Sequence, residues 1–198
     1  MIAKGYRSDM KKIPSLFKRD YEGTRQVYDE VVEGCEWVQA GEGAATEKYD
    51  GTACLIRDGV LYKRYDAKKG KQPPEGWEPC EDAPDPKTGH WPGWLKVGDG
   101  PEDRWHREAS RLIAGYMDGT YELVGAKVQG DPYNMVTYHT LLQHGGTAFA
   151  NVPTDFEGLR QWFRWAFIEG IVWHHPDGRM CKIKRKDFGL PWPVKGDE

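Results

Sequence analysis

Short apolar runs, several of them alternating with polar residues, are the dominant pattern along this chain and predict half-buried β-strands. Two runs, at residues 54–57 and 60–64, are separated by Asp58-Gly59, a pair typical of tight hairpin turns. Residues 24–40 are predicted to be rich in strand, and residues 46–50 to be extended. Further strands are predicted at residues 121–124, 135–142, 170–173 and 181–184.

Two segments instead repeat apolar residues at helical spacing. Pro101 opens the first, and the second begins near Thr154, whose hydroxyl forms a capping-box pattern with Glu157. The buried faces are predicted to comprise Trp105, Ala109, Leu112, Ile113 and Tyr116 in the first, and Leu159, Trp162, Phe163, Ala166 and Phe167 in the second. Strands outnumber helices, so the predicted fold class is α+β, with mostly antiparallel sheets and flanking helices.

Residues 71–100 depart from both patterns and contain six prolines, five glycines and three tryptophans. A long irregular segment inside a compact domain is often functional. Two interpretations stay open. The segment is either a packed surface loop anchored by Trp77, Trp91 and Trp94, or a lid that faces a substrate.

The composition is that of a globular protein, with 198 residues, 30% charged residues and 13% aromatic residues. One domain over residues 1–198 is expected, with a basic N-terminal segment at residues 1–23. The chain has no apolar run of membrane-spanning length and no signal peptide, which predicts a cytoplasmic protein. The net charge of −3 argues against a protein that coats a polyanion, whereas the basic run at 182–186 suits a phosphate site.

The chemistry is expected to centre on Lys48, which lies just before Asp50-Gly51. A lysine in its uncharged form is a nucleophile that can attack phosphorus. On its own this short motif is weak, because a solvated turn with an exposed lysine fits it equally well.

Other charged residues in unusual places strengthen the hypothesis. Glu122 and Glu169 lie in or beside apolar strands, where a carboxylate is costly unless it has a partner. Lys182 and Lys184 are two apart on one predicted strand, so both project from the same face, and Ile183 points into the core. With Arg64 at the end of the hairpin, this inventory suits a nucleoside triphosphate and a hydrated divalent metal.

In their order along the chain, these residues resemble motifs I, Ia, III, IV and V of the covalent nucleotidyltransferase superfamily. That superfamily contains ATP-dependent DNA and RNA ligases and mRNA capping guanylyltransferases. The chain looks most like the small ATP-dependent RNA ligases. The narrower match lies in residues 64–70, 121–133 and 182–189. The resemblance implies a nucleotidyltransferase domain, ATP-grasp-like in its ligase adenylylation fold. Because only 14 residues follow Lys184, no OB domain is expected.

The resemblance also implies a role for each motif. Lys48 is expected to form a covalent Lys-AMP intermediate, and Lys182 and Lys184 to bind the α-phosphate and help keep Lys48 uncharged. Asp50, Glu122 and Glu169 are expected to bind Mg²⁺ or Mn²⁺, with Glu122 also near the ribose.

The remaining ATP contacts follow from the same resemblance. Arg64 is expected to bind a ribose hydroxyl or a phosphate, and Thr46 and Glu47 to contact adenine. The aromatic residue that stacks on the base is placed at Tyr138, with His139 as the competitor.

The implied reaction joins RNA ends that carry a 5′-phosphate and a 3′-hydroxyl, as in RNA repair. AMP passes from Lys48 to the 5′-phosphate, and the 3′-hydroxyl then displaces it. A DNA ligase or a guanylyltransferase is the alternative among enzymes, and a nucleotide-binding module without catalysis is the alternative outside them. No membrane partner is expected.

Overall fold

The computed structural model describes residues 12–68, 70–86, 88–111, 115 and 117–194, which divide into two compact units. Unit 1 consists of residues 13–49 together with the described residues from 144 onward, and unit 2 contains Lys12 and the described residues of 50–143. A single domain over residues 1–198 therefore stays a prediction. None of the helices in this described part of the chain has the length and apolar character of a membrane span.

The elements alternate between strands and a few short helices. In chain order they are β1 (Phe17–Arg19), β2 (Val27–Val31), α1 (Glu36–Gln39), β3 (Ala44–Lys48), β4 (Thr52–Arg57), β5 (Val60–Ala67), β6 (Glu78–Pro79), β7 (Trp91–Lys96), α2 (Arg104–Arg111), β8 (Gly119–Gly125), β9 (His139–Gln143), β10 (Ala148–Phe149), α3 (Phe156–Trp165), β11 (Gly170–His174) and β12 (Met180–Lys184). Short 3-10 helices cover Pro101–Asp103 and Arg185–Phe188.

Unit 1 contains a four-stranded sheet in the order β10-β3-β11-β12 and a two-stranded sheet of β1 and β2. One face of the larger sheet is apolar and packs against α3, because side chains alternate between faces along each strand. The core comprises Leu16, Phe17, Val38, Leu159, Phe163, Ile171, Trp173 and Ile183, among others. The opposite face carries the lysines of β3 and β12, which is why this sheet positions the candidate site.

Unit 2 is built on a six-stranded sheet in the order β6-β7-β5-β4-β8-β9. The predicted hairpin of β4 and β5 is confirmed, and its turn residues Asp58 and Gly59 have φ angles of 52° and 72°. Positive φ at both positions is the type I′ turn that matches the twist of two paired strands. One side of the sheet packs against Trp105 and Ala109 of α2, and on the other side Ala53, Leu55 and Trp94 of the strands cluster with Cys80.

The predicted α+β class with mostly antiparallel sheets is confirmed, since every named strand pair is antiparallel. The strands predicted near residues 121–124, 170–173 and 181–184 are present. The predicted first helix forms as the 3-10 turn followed by α2. Three residues of its expected apolar face, Leu112, Ile113 and Tyr116, lie outside the described residues.

Several local predictions were wrong. Trp37 and Val38 lie in α1 and not in a strand, which lets both of these adjacent side chains be buried. The predicted strand at 135–142 begins only at His139, because both carboxylate oxygens of Asp131 bind the backbone N–H groups of Met135 and Val136. This local bonding takes the N–H groups that a strand would use.

The second predicted helix also needs correction at both ends. Its N-cap is Asp155 and not Thr154, since the Asp155 carboxylate accepts from the backbone N–H of Gly158. The helix ends at Trp165, so Phe167 lies beyond its apolar face and is 62% exposed. Leu159 and Phe163 are buried as predicted.

The segment at 71–100 is less irregular than predicted, because it contains β6 and β7. Trp94 lies in β7 and is almost fully buried, which supports anchoring for this tryptophan. Of the basic N-terminal segment, residues 1–11 lie outside the described residues. Residues 14–16 run beside β12, where the backbone of Lys182 exchanges hydrogen bonds with Pro14 and Leu16.

Candidate functional site

Three lysines project from the same face of the four-stranded sheet of unit 1. In the strand register, Lys48 lies opposite Gly170, and Gly170 lies opposite Lys184. Lys182 lies two residues before Lys184 and is opposite Val172. Directly opposed residues in an antiparallel pair share a face, so Lys48, Lys182 and Lys184 lie on the side away from the apolar core.

The Lys48 ammonium is not in open water. Its Nζ lies 2.5 Å from Oε2 of Glu169 and 3.2 Å from the carbonyl oxygen of Tyr49. Glu169 itself is only 8% exposed, so its carboxylate has the partner that its buried position requires. The charged group in contact with Lys48 is thus a carboxylate. The two cations predicted to lie near it, Lys182 and Lys184, are on neighbouring positions of the same sheet face.

The pKa of Lys182 is shifted by its surroundings. Burial lowers its pKa to about 8, and the positive charges of Lys48 and Lys184 act in the same direction. Three like charges on one partly desolvated face repel one another, and a bound anion relieves that repulsion. The face is therefore suited to a phosphate group.

Gly170 lies between Lys48 and Lys184 in the same row of the sheet. A Cβ atom at this position would come within 2.3 Å of the carbonyl oxygen of Ile183, so the close approach of two strands requires glycine. Lys48 and Lys184 therefore flank, on the two neighbouring strands, a position that has no side chain. The two Cα atoms of the lysines are about 10 Å apart at ordinary strand spacing.

Thr46 and Glu47 precede Lys48 on β3 and have different surroundings. Thr46 is buried on the lysine face, where its hydroxyl donates to the carbonyl oxygen of Val172 and lies 3.0 Å from Nε2 of His174. Strand alternation turns the Glu47 side chain toward the opposite face, where burial raises its pKa above the ordinary value. Thr46 therefore shares a sheet face with Lys48, whereas Glu47 does not.

Thr147 fixes the outer edge of β3 and was not recognised from the sequence. Its carbonyl oxygen accepts from the backbone N–H of Glu47 at 2.9 Å, and its hydroxyl lies 2.8 Å from the Tyr49 hydroxyl. No motif marks this threonine, since both contacts join segments about a hundred residues apart.

In unit 2, side chains from β8 and the following loop hold the backbone of Asp50 and Gly51. The Gly51 N–H donates to Oε1 of Glu122 at 3.0 Å, and the Asp50 N–H donates to the Tyr133 hydroxyl at 2.7 Å. The side-chain amide of Gln129 donates to the Gly51 carbonyl at 3.3 Å. Tyr133 and Gln129 were missed as candidate residues, although both lie in the segment 121–133 that carries the RNA ligase resemblance.

Glycine is needed at position 51 because a side chain would not fit there, and not because the backbone is left-handed. A Cβ atom there would lie 2.1 Å from the carbonyl oxygen of Leu123 and 2.9 Å from Cγ of Glu122. The Asp50-Gly51 pair therefore marks a close approach of backbone to β8, whereas Asp58-Gly59 marks a hairpin turn.

Glu122 and Arg64 lie on the same face of the six-stranded sheet. Ala53 is opposite Glu122, and Leu55, two residues further along β4, is opposite Tyr62. Arg64 is two residues from Tyr62, so alternation places its side chain on the face that Glu122 occupies. The Arg64 Nε donates to Oδ1 of Asp66 at 3.0 Å.

Tyr138 lies just before β9 with 47% of its surface exposed, so its ring is accessible. His139 is buried on the other side of the strand. Its Nδ1 lies 3.0 Å from Oε1 of Glu108, its Nε2 accepts from the backbone N–H of Lys127, and its ring stacks on Trp105. These contacts give the His139 ring structural partners, and Tyr138 stays the predicted stacking residue.

The predicted site residues are divided between the two units. Unit 1 holds Thr46, Glu47, Lys48, Glu169, Lys182 and Lys184, and unit 2 holds Asp50, Arg64, Glu122 and Tyr138. Within the described residues, no group of three or more His, Cys, Asp or Glu side chains is arranged to hold a metal. Mg²⁺ is commonly held by one or two carboxylates together with substrate phosphates, so Asp50, Glu122 and Glu169 stay predicted ligands.

Comparison with known proteins supports the resemblance to RNA ligases. A family model described as RNA ligase 1 matches residues 109–198, the part that includes Glu122, Glu169, Lys182 and Lys184. RNA ligase 1 of Danio rerio is 29% identical over 224 residues, covering 76% of this chain and 69% of the fish protein. RNA ligase 1 of Mus musculus is 29% identical, with 76% of this chain and 68% of the mouse protein covered. These matches confirm that the chain resembles RNA ligases.

Proposed function

We propose that this chain is an ATP-dependent RNA ligase that joins 5′-phosphate and 3′-hydroxyl RNA ends through a Lys48-AMP intermediate. The observation that carries the proposal is the shared sheet face of Lys48, Lys182 and Lys184, with Lys48 held by Glu169. A nucleophilic amine and two cations on one face meet the needs of attack on a phosphorus atom.

In the first step, the uncharged Lys48 amine attacks the α-phosphorus of ATP. A nitrogen–phosphorus bond forms, the bond from phosphorus to the bridging oxygen breaks, pyrophosphate leaves, and the attacking nitrogen gives up one proton to water. Lys48 Nζ is in contact with the Glu169 carboxylate, so that contact must loosen before attack. Lys182 and Lys184 supply positive charge where negative charge develops on the phosphate oxygens.

Asp50, Glu122 and Glu169 are the residues that would hold Mg²⁺ or Mn²⁺, directly or through water. When bound, the metal supplies charge neutralisation for the triphosphate. The chain supplies the orientation: Glu122 also fixes the Gly51 backbone, and this segment follows Lys48 directly in the sequence.

The remaining roles concern the nucleotide and the RNA. Thr46 and Glu47 are proposed to contact adenine, Tyr138 to stack on it, and Arg64 to bind a ribose hydroxyl or a phosphate. AMP then passes to the RNA 5′-phosphate, and the 3′-hydroxyl attacks that phosphate with release of AMP. Repair of broken RNA is the proposed setting.

The decisive test is covalent labelling with ATP radiolabelled at the α-phosphate, followed by denaturing electrophoresis. The wild-type protein is expected to retain acid-labile label in the presence of Mg²⁺ or Mn²⁺, and Lys48→Ala none. Lys18→Ala is the matched control, because Lys18 is an exposed lysine that pairs with Glu30 in the same unit. Label on Lys48→Ala equal to wild type would refute the proposal, and no label on the wild type would favour a binding module.

A second assay separates the enzyme alternatives. Strand joining is compared on RNA and DNA ends carrying a 5′-phosphate, with ATP and GTP as the nucleotide. Efficient joining of RNA with ATP supports the proposal. A GTP-specific adduct without joining would indicate a guanylyltransferase, and a preference for nicked DNA would indicate a DNA ligase.

A further inference from the structure

A cavity of about 470 Å³ lies within unit 2, beside the end of β5 and the segment that leads to β7. Its lining includes Lys68, Lys71, Pro84, Asp85, Thr88 and Trp91. The volume is within the range of sites that hold one small organic ligand or a nucleotide. None of these residues belongs to the predicted ATP site.

Positive charge prevails at this cavity. Lys68 and Lys71 are both exposed and are held together by a backbone hydrogen bond from the Lys71 N–H to the Lys68 carbonyl at 3.0 Å. Among the described residues of the lining, Asp85 is the one carboxylate, and it is already engaged: its Oδ2 lies 3.6 Å from Lys12 Nζ, and its Oδ1 accepts from the Thr88 N–H. The lining therefore favours an anion over a cation.

The aromatic part of the lining has a fixed orientation. The indole N–H of Trp91 donates to the carbonyl oxygen of Glu81 at 2.7 Å, and its ring packs edge-on against Trp77 at 5.0 Å. The indole N–H of Trp77 donates to the carbonyl oxygen of Tyr65 at 3.0 Å. Trp91 thus has a defined position in the wall, and its ring is half-buried and not fully covered.

The part of the lining that includes Asp85 and Gly89 is also ordered by backbone hydrogen bonds. The Asp85 N–H donates to the His90 carbonyl at 2.9 Å, and the Gly89 N–H donates to the Asp85 carbonyl at 2.7 Å. These bonds hold Asp85 close to Gly89 and His90, so backbone as well as side chains forms the wall of the cavity.

We propose that this cavity binds one nucleotide of the single-stranded RNA substrate, with Lys68 and Lys71 on the phosphodiester and Trp91 against the base. Lysines that follow a backbone and an aromatic ring that receives a base are the usual elements of single-strand recognition. The proposal rests on the proposed RNA ligase function and assigns to the segment 71–100 part of the grip on RNA.

The test measures RNA binding and adenylylation separately. A fluorescent 12-nucleotide RNA is titrated by anisotropy at several salt concentrations with wild type and the double variant Lys68→Ala/Lys71→Ala. Two lost phosphate contacts are expected to weaken binding roughly tenfold and to reduce the salt slope by about 0.7 per lysine. Labelling of Lys48 with ATP is expected to be unchanged.

Two further variants test whether the charge of the lining sets the RNA affinity and whether the effect is confined to the cavity. Asp85→Asn removes a negative charge and is expected to tighten RNA binding. Lys96→Ala removes an exposed lysine of β7 that does not line the cavity, and is expected to bind RNA like wild type.

Wild-type affinity and salt slope in the double variant would overturn the inference, as would an equal fall in Lys48 labelling. The same titration is repeated with a polyglutamate peptide. If the double variant lost binding to this peptide but still bound RNA like wild type, the cavity would be a site for an acidic protein ligand, and the inference would also be overturned. If the wild type takes no label from ATP, the proposed function fails, and the RNA titration still decides the cavity on its own.

Discussion

The phenolic oxygen of Tyr133 lies 2.7 Å from the backbone nitrogen of Asp50, so a side chain from the loop after β8 fixes the chain two residues beyond Lys48. Glu122 and Gln129 bind the next residue, Gly51, at its N–H and its carbonyl. The two residues that follow Tyr49 are therefore held by three side chains of unit 2.

Tyr133→Phe is expected to slow adenylylation about tenfold, because one hydrogen bond is lost and the segment after Lys48 is less well placed. The concentration of ATP at half-maximal rate should stay unchanged, since the phenol is not proposed to touch ATP. Single-turnover labelling over a range of ATP concentrations measures both quantities. Tyr28→Phe, at an exposed tyrosine of β2, is the control. A changed ATP dependence with an unchanged maximal rate would show that Tyr133 binds nucleotide instead.

Gly51→Ala is expected to reduce the free energy of unfolding by about 1–3 kcal/mol, because the added methyl group meets the Leu123 carbonyl. Adenylylation should fall with it, since β8 and the Asp50 segment must separate. Gly98→Ala is the control: a Cβ atom there would meet only Asp103, at 3.6 Å. Urea unfolding of the three proteins makes the comparison. Equal stability of Gly51→Ala and wild type would contradict the close approach.

Lys182 gives a prediction for the pH dependence. Burial and the neighbouring lysines lower its pKa to about 8, so the side chain is charged below that pH and loses its charge above it. We expect kcat/KM for ATP in adenylylation to fall as the pH rises through about 8, because this ratio reports on the free enzyme.

Lys182→Arg keeps its charge throughout the accessible range and should abolish that fall. The pH profiles of wild type and variant decide between the outcomes. A decline near pH 8 that persists in the arginine variant would assign it to another group.

Local patterns predicted those parts of the fold that neighbouring residues determine. The β4–β5 hairpin follows from Asp58-Gly59, and the alternation of Lys182, Ile183 and Lys184 follows from strand geometry. The cap of α3 could not be chosen from sequence, because Thr154 and Asp155 are both good N-cap residues and only backbone geometry selects one.

The contacts that complete the candidate site are long-range, and this is why they escaped prediction. Tyr133 is one of ten tyrosines in the chain, and nothing nearby indicates a bond to Asp50, 83 residues earlier. Thr147 escaped prediction for the same reason, because its contacts to β3 depend on how β10 joins the sheet.

Gly170 determines where the lysine face can be redesigned. Because the carbonyl of Ile183 blocks even a methyl group there, neither directed evolution nor rational engineering can narrow the gap between Lys48 and Lys184 from this position without displacing β12. Val172 lies two residues further along β11 on the same face, opposite Lys182, and has a side chain that can be varied in size. Attempts to reshape the lysine face should therefore begin at Val172 and leave residue 170 untouched.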